Sequence, residues 1–309
     1  MFTSRSSLSK KVGSLSSKQA SQKEKAVIVT ELRRLHKLEY LLHLAELARS
    51  SYYYHRDSSA FLDKHIDLVK EVKKLYQRHF GRYGYRRITL ALRKELDIPV
   101  NFKTIAKIMK QIGLKSKIRV KKYKSYKGEI GKAADNILKR DFTADKPNVK
   151  WATDITEFKV KGKKLYLSPI IDLFNGEIIS YNLSTSPNYR QTLDMLNKGF
   201  RKIKNHEKPI LHSDQGWQYR LEKYKKKLKD KQIMQSMSRK GNCLDNAIIE
   251  NFFGVLKSEL FYLNEYNSVS QLHSEIRKYI KYYNRDRIRL NLNGMSPVEY
   301  RTHYFKNIA

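Results

Sequence analysis

The sequence predicts an α/β protein: a mixed sheet with helices on both faces, preceded by a purely helical region. Three observations carry this. Apolar residues recur at helical spacing in the first third of the chain, as in Ile66, Val69, Val72, Leu75 and Tyr76. From residue 149 onward, short runs of strand character are punctuated by turn signals and alternate with helical stretches. The charge is also uneven. Residues 1–150 hold 36 basic and 14 acidic residues, a net of +22, whereas residues 151–309 hold 28 and 16, a net of +12.

The chain has 309 residues, room for two domains, and at 40% hydrophobic it can bury a core. No stretch approaches the roughly 18 apolar residues that span a bilayer. One cysteine, Cys243, excludes an internal disulfide and any multi-cysteine zinc or iron–sulfur site. It suits a reducing compartment, and a structural role is expected for it. With 64 Lys and Arg against 30 Asp and Glu, the net charge is +34. Such self-repulsion points to a polyanionic partner. Nucleic acid is favoured over a membrane surface, because no long amphipathic helix carries a Trp/Phe face.

Residues 1–25 contain eight Ser, six Lys or Arg and a single acid, Glu24. They read as a disordered basic arm, and they lack the amphipathic pattern of a transit peptide. Residues 26–58 read as a small helical segment, either a helix-turn-helix or the tail of a coiled coil. Within it, Ala48-Arg49-Ser50-Ser51 offers a turn and a cap. Residues 59–127 form the clearer unit. A helix over 66–80 breaks at Gly81-Arg82-Tyr83-Gly84, a second runs from about 86 to 96, and Asp97-Ile98-Pro99-Val100 makes a turn. Asn101 then caps a third helix over 102–112, closed by Gly113. Phe102, Ile105, Ile108, Met109 and Ile112 are expected to point inward, with Lys103, Lys107 and Lys110 on the opposite face. This is the helix-turn-helix arrangement; a plain helical subdomain with a solvated lysine stripe is the bland reading. The run from Lys115 to Lys127 favours the first. It has seven cations in thirteen residues, among them Lys115, Lys117, Arg119, Lys121, Lys122 and Lys124, and no acid, with Tyr123 and Tyr126 between. Cations neutralise phosphates while interleaved aromatics stack. Six such contacts on duplex DNA give a log K against log salt slope of about −5. Residues 128–146 read as a linker.

In the second half, a strand over 149–160 turns at Lys161-Gly162-Lys163 into another over 165–173, and Asn175-Gly176 turns into a third over 178–183. Helix over 189–203, strand over 209–213, helix over 221–228, strand over 233–237 and a long helix over 245–260 follow. A last helix covers 270–283.

Carboxylates at strand ends need explaining in so basic a chain. Asp154 sits within the first strand and Asp214 ends the fourth, so the two meet if those strands are neighbours. On the helix over 245–260, Ile248, Phe252 and Val255 share one face, while Asn246, Glu250, Gly254 and Lys257 share the other. Three converging carboxylates repel one another unless compensated. Mg²⁺ supplies that compensation, and two such ions stabilise the attacking and leaving oxygens of an in-line phosphoryl transfer. Taken singly, each carboxylate reads equally as a turn former or an ion-pair partner.

The residues Thr153-Asp154-Ile155-Thr156, then His212-Ser213-Asp214-Gln215-Gly216-Trp217-Gln218-Tyr219, then Asp245-Asn246-Ala247 leading to Glu250 resemble a known family. It is that of insertion-sequence transposases of the retroviral-integrase superfamily, in the group whose elements carry two overlapping reading frames. The 35 residues between Asp214 and Glu250 match the interval of its Asp-Asp-Glu triad. Tyr-Gly-Tyr-Arg-Arg-Ile at 83–88 resembles its helix-turn-helix domain. Tyr283-Asn284, Arg287, Leu292, Gly294 and Ser296-Pro297 resemble its C-terminal signature, and residues 66–309 are covered in all. The resemblance implies a ribonuclease H-like mixed-sheet catalytic core over 147–262, preceded by helix-turn-helix DNA binding and followed by a C-terminal helical segment over 263–309. It implies Asp154, Asp214 and Glu250 as catalytic metal ligands, with two Mg²⁺ ions for which Mn²⁺ substitutes, and Lys257 touching DNA. It also implies cleavage at an element's end to free a 3′-OH, and attack of that 3′-OH on another phosphodiester. The expected partners are terminal inverted repeats, target DNA, further copies of the chain on DNA, and the product of a preceding reading frame; a chain with its own basic arm at Met1 would then be part of the active protein. The expected setting is the bacterial cytoplasm, at the nucleoid. Arg289 stands where many relatives have His.

Other titratable residues have plainer readings. His212 packs at a strand end, Asp245 caps a helix, and Asp172 serves the Asn175-Gly176 turn. Glu157 and Glu259 do not fit the triad's interval. Two functions of other classes compete with the transposase. A non-catalytic helix-turn-helix regulator with an α/β effector domain would need no divalent ion. A nucleic-acid scaffold would bind with salt dependence and without sequence preference.

Overall fold

A computed structural model describes residues 20–117, 135–139, 141–239 and 246–308. Arg119, Lys121, Lys122 and Lys124, together with Asp245 and Cys243, lie outside those residues, as do most of the expected N-terminal arm and the first part of the expected linker. The chain divides into two compact units at Ser116/Lys117.

The first unit is helical. Helix α1 (Gln22–Leu32) begins ahead of the expected residue 26, because Ser21 and Glu24 form a reciprocal capping box. Ser21 N donates to the Glu24 carboxylate at 2.8 Å, and Glu24 N donates to Ser21 Oγ at 3.3 Å. The helical stretch expected over 26–47 is two helices, α1 and α2 (Leu38–Leu44). Helix α3 (Arg49–Lys64) then starts where a turn was expected, and Ala48 at its N-cap makes no side-chain bond. Val29, Leu32, Leu41 and Tyr52 close a small core among these three helices.

Helices α4 (Ile66–Arg78), α5 (Tyr85–Glu95) and α6 (Phe102–Gln111) follow the expected pattern. Asn101 caps α6 by accepting from Lys103 N at 2.8 Å, and the Arg93 guanidinium holds the α5–α6 turn through the Val100 carbonyl at 2.7 and 2.9 Å. Ile105, Ile108 and Met109 are buried as expected. Phe102 is not: at the first position of α6 it is 48% exposed, its ring 6.3 Å from that of Tyr85.

The second unit is a six-stranded mixed sheet. Strand β1 (Lys150–Thr153) pairs with β3 (Lys163–Asp172) antiparallel and with β5 (Ile210–Ser213) parallel. Strand β2 (Thr156–Val160) and β4 (Ile178–Ser184) both pair with β3 antiparallel, and β6 (Met234–Met237) pairs with β5 parallel. The single strand expected over 149–160 is thus two strands, yet both keep one unshifted register along β3, as Trp151↔Asp172 and Thr156↔Leu167 show. The break falls at Asp154 and Ile155. Continued, that register sets Pro169 opposite Asp154, and proline has no amide proton to give the ladder. The Pro169 carbonyl instead accepts from Thr153 Oγ1 at 2.9 Å.

Alternation along the strands divides the core between the two faces. Ala152, Phe158, Leu167 and Ile171 pack on one side with α10 (Ala247–Glu259) and α11 (Val269–Arg285), through Ile249, Phe252, Leu256, Leu272 and Ile276. Trp151, Ile170 and Leu211 pack on the other with α7 (Tyr189–Phe200), α8 (Trp217–Arg220) and α9 (Glu222–Asp230), through Met195, Leu196, Tyr219 and Leu228. The last helix, α12 (Pro297–Ile308), is tied to the sheet by Arg301, whose guanidinium meets Asp172 Oδ2 at 2.5 Å and Glu177 at 2.9 Å. Among the described residues, no helix is long and apolar enough to cross a membrane.

Candidate active site

The parallel pairing of β1 with β5 sets Lys150 beside Ile210, Trp151 beside Leu211 and Ala152 beside His212. Continued past both strand ends, that register brings Asp154 beside Asp214, on neighbouring strands about 4.8 Å apart. Both side chains are half-buried. Asp154 accepts from Ile155 N at 2.7 Å. Asp214 Oδ1 accepts from Gly216 N at 2.9 Å, closing a tight turn at the head of α8. A Cβ on Gly216 would lie 2.5 Å from Gln218 Nε2 and 2.9 Å from Asp214 Oδ1, so the turn admits only glycine without movement.

Glu250 stands in the first turn of α10, half-buried. The core stripe of this helix is Ile249, Phe252, Phe253 and Leu256, so the seam expected through Ile248 and Val255 is displaced: both of those are only half-buried. The displacement turns Glu250 toward the end of β1. Burial raises the Asp154 carboxyl well above its ordinary pKa, and the charges of Asp214 and Glu250 add to the rise. The Ile155 amide and the Lys257 ammonium oppose it. Lys257, in the last turn of α10, also holds its Nζ 5.3 Å from the Phe158 ring centroid. Burial raises Asp214 too, against the Gly216 amide and the charge of Arg220.

Asp214 and Glu250 thus both bear on Asp154, with Lys257 as the cation that opposes them there and Arg220 as the one beside Asp214. Among the described residues, no three His, Cys, Asp or Glu side chains are gathered closely enough to hold a metal ion between them. Two adjacent carboxylates nevertheless offer the hard oxygens that Mg²⁺ takes, since that ion binds through one or two carboxylates and keeps waters and substrate phosphate for the rest. The donor set fits a divalent cation.

The bland readings of the neighbouring residues hold. His212 is buried, its Nδ1 2.9 Å from Ser236 Oγ on β6. Asp172 accepts from Phe174 N and Asn148 N and anchors the β3–β4 turn. Glu157 pairs with Lys164 at 2.9 Å. Three features lay beyond the sequence reading. Tyr219 is fully buried, and its hydroxyl is pushed far up by burial and by the charges of Asp154 and Asp214. Asn246 is buried at the N-cap of α10, with neither side-chain polar atom bonded among the described residues. Arg289 donates to Tyr283 Oη at 3.0 Å and lies where a Cβ on Gly176 would stand, 1.8 Å from its Nη1. Gly176 also has a φ of +71°, so shape and backbone both demand glycine there. Nothing local in the sequence links 176 to 289.

In the helical unit, Lys103, Lys107, Lys110 and Lys115 are all exposed, as is Lys117 just beyond it. Lys107 is partly engaged, its Nζ 4.0 Å from the Phe61 ring centroid.

Known families and relatives match both units of the chain. Family profiles described as an integrase core domain match residues 144–243 and 250–305, and one described as an HTH-like domain matches residues 64–122. The chain is 52% identical over 274 residues to the InsK protein of insertion sequence element IS150 from Escherichia coli (strain K12), covering 89% of this chain and 96% of that one. It is 34% identical over 249 residues to the transposase for insertion sequence element IS904 from Lactococcus lactis subsp. lactis (strain IL1403), covering 79% and 97%. Among solved structures, the HTLV-2 integrase catalytic core domain in complex with magnesium aligns at a TM-score of 0.40 and 19% identity, over 51% of this chain and 98% of that one. With its carboxylates at the ends of β1 and β5 and its helical unit ahead of them, the chain belongs to the IS150/IS3 family of insertion-sequence transposases, enzymes with an integrase core and an HTH-like domain.

Proposed function

We propose that this transposase cuts DNA at the ends of its element and joins the freed 3′-OH to a second duplex, with Asp154, Asp214 and Glu250 as the residues that hold two divalent ions. One observation carries the reading: β1 and β5 deliver two carboxylates side by side, and Glu250 on α10 adds its charge to the same point. Mg²⁺, with Mn²⁺ as substitute, supplies charge stabilisation to the attacking and leaving oxygens. Asp154 and Asp214 orient their oxygens through the Ile155 and Gly216 amides, and Lys257 draws a DNA phosphate toward them. Lys103, Lys107, Lys110, Lys115 and Lys117, continued by Arg119, Lys121, Lys122 and Lys124, grip the backbone while the helix-turn-helix reads the terminal inverted repeat. Copies of the chain assemble on DNA, joined by the product of a preceding reading frame, in the bacterial cytoplasm at the nucleoid.

The test uses labelled fragments from the DNA flanking the gene, with Mg²⁺ or Mn²⁺. Metal-dependent nicking at one fixed position is expected, and none with Glu250→Gln. Binding at one site without nicking, unchanged by Glu250→Gln and by the fused upstream product, would instead favour a regulator. A milder change is expected of Gly216→Ala. Its Cβ would stand 2.5 Å from Gln218 Nε2 and 2.9 Å from Asp214 Oδ1, so the carboxylate must shift as well as Gln218, and a displacement approaching ~1 Å costs up to about a hundredfold in rate. Single-turnover nicking measures it; a rate within twofold of wild type would refute the role given to that turn.

A further inference from the structure

Away from the carboxylates, the outer edge of the sheet carries a groove that the reaction as described does not use. Its floor is β4, whose other edge pairs with β3. One wall is the C-terminal end of α7, which packs on the Trp151 face of the sheet; the other is α11, which packs on the Phe158 face. The cavity measures about 730 Å³. Lys198, Arg201 and Lys202 line it from the α7 side, and His273, Arg277 and Lys281 from the α11 side, with no Asp or Glu among its lining residues. The five Lys and Arg are exposed, and none is ion-paired among the described residues. Lys198 Nζ reaches the edge strand, donating to the Tyr181 carbonyl at 3.3 Å.

Cations on an edge strand guard it against pairing with another strand. One or two would do that. Five on both walls of a single groove, uncompensated, make a concave field that favours a polyanion. The floor mixes Ile178, Ile179 and Leu183 with Ser180, Tyr181 and Asn182, and the long flexible cations on both walls stand above it; such cations meet phosphates, which position a duplex without reading its bases. We infer that this groove holds the backbone of the duplex that receives the cut end, without regard to its sequence. The inference rests on the transposase reading. It assigns to the catalytic unit its own DNA contact, separate from the lysines of the helical unit.

The experiment compares the full chain with Arg201→Ala/Lys202→Ala/Arg277→Ala/Lys281→Ala. A control removes four exposed lysines elsewhere on the same unit, as Lys223→Ala/Lys226→Ala/Lys229→Ala/Lys231→Ala. Binding to a random-sequence duplex is followed across a salt series. Each lost phosphate contact lowers the magnitude of the log–log slope by about 0.9, so the groove variant is expected to lose about 3 to 4 and the control less than 1. Joining into a random duplex should fall about tenfold or more, with nicking at the element's end kept within about twofold. An unchanged slope overturns the inference, and so does an equal fall in the control, which would mark a general field effect. Equal loss of nicking and joining would assign the groove to the element's own DNA and overturn the inference. A change in sedimentation with no change in slope would assign it to a second copy of the chain. If wild type neither nicks nor joins, the transposase reading fails, while the slopes still decide whether the groove binds DNA. Unaltered thermal melting of both variants shows that the fold is intact.

Discussion

Asp214→Asn is expected to abolish strand cleavage while leaving DNA binding within a few-fold of wild type. The substitution keeps the size of the side chain and the oxygen that accepts from Gly216 N, so the turn before α8 survives. What disappears is one of two adjacent negative charges. Stabilisation of transition-state charge at such a site is worth several kcal/mol, and at about 1.4 kcal/mol per tenfold the rate falls by about a thousandfold or more. A second readout needs no turnover. An ion that binds only the folded state at about 100 times its dissociation constant adds about 2.7 kcal/mol. Mg²⁺ should therefore raise the melting temperature of wild type by about 5–10 °C, and that of Asp214→Asn by much less. Loss of DNA binding with the same substitution would mean that Asp214 supports the fold rather than the chemistry.

The largest effect on stability is expected at Arg287. Its guanidinium donates to Glu259 at 2.6 and 2.9 Å, and Tyr279 Oη donates to the same carboxylate at 2.9 Å. Arg287 and Glu259 side chains are 6% and 1% exposed. Arg287→Ala leaves a buried carboxylate without its cation, and breaking such a pair costs about 3–5 kcal/mol. Glu259→Leu/Arg287→Met/Tyr279→Phe removes the ion pair and its tyrosine donor together and should cost less than Arg287→Ala alone, because no buried charge is then left without its counter-charge. Denaturant unfolding separates these outcomes; a cost below about 1 kcal/mol for Arg287→Ala would show that water reaches Glu259. The pair also fixes the C-terminal end of α10, nine residues beyond Glu250. Arg287→Ala should thus slow cleavage in the fraction that remains folded.

Much of this was legible in the sequence, and the reasons differ by residue. Turn signals at Lys161-Gly162-Lys163 and Asn175-Gly176 are local chemistry, and strands meet there as expected. The neighbourhood of Asp154 and Asp214 required only that β1 and β5 pair, which a crossover through α7 permits. The break in the first strand was not legible, because its cause, Pro169, sits on a different strand. The seam of α10 was read one position off, since Ile248 and Ile249 are equally apolar and only the packed sheet chooses between them. Phe102 was read as core because helical periodicity marks a face without saying where the neighbouring helices end. Glu259 was set aside on its interval alone, and its partner Arg287 was matched only to a C-terminal signature. Contacts that join residues 28 or 113 positions apart, as Glu259 to Arg287 and Gly176 to Arg289, have no trace in periodicity.

The shared register of β1 and β5 sets a rule for how this chain can change length. Each carboxylate is located by counting along its own strand from a paired residue: Ala152 to Asp154, His212 to Asp214. One residue gained or lost within either count would move that carboxylate to the opposite face of the sheet, away from its partner. The surface connection between α7 and β5 is under no such count. Insertions near Asn205 should pass without loss of cutting, whereas a single residue added between Trp151 and Asp154 should end it.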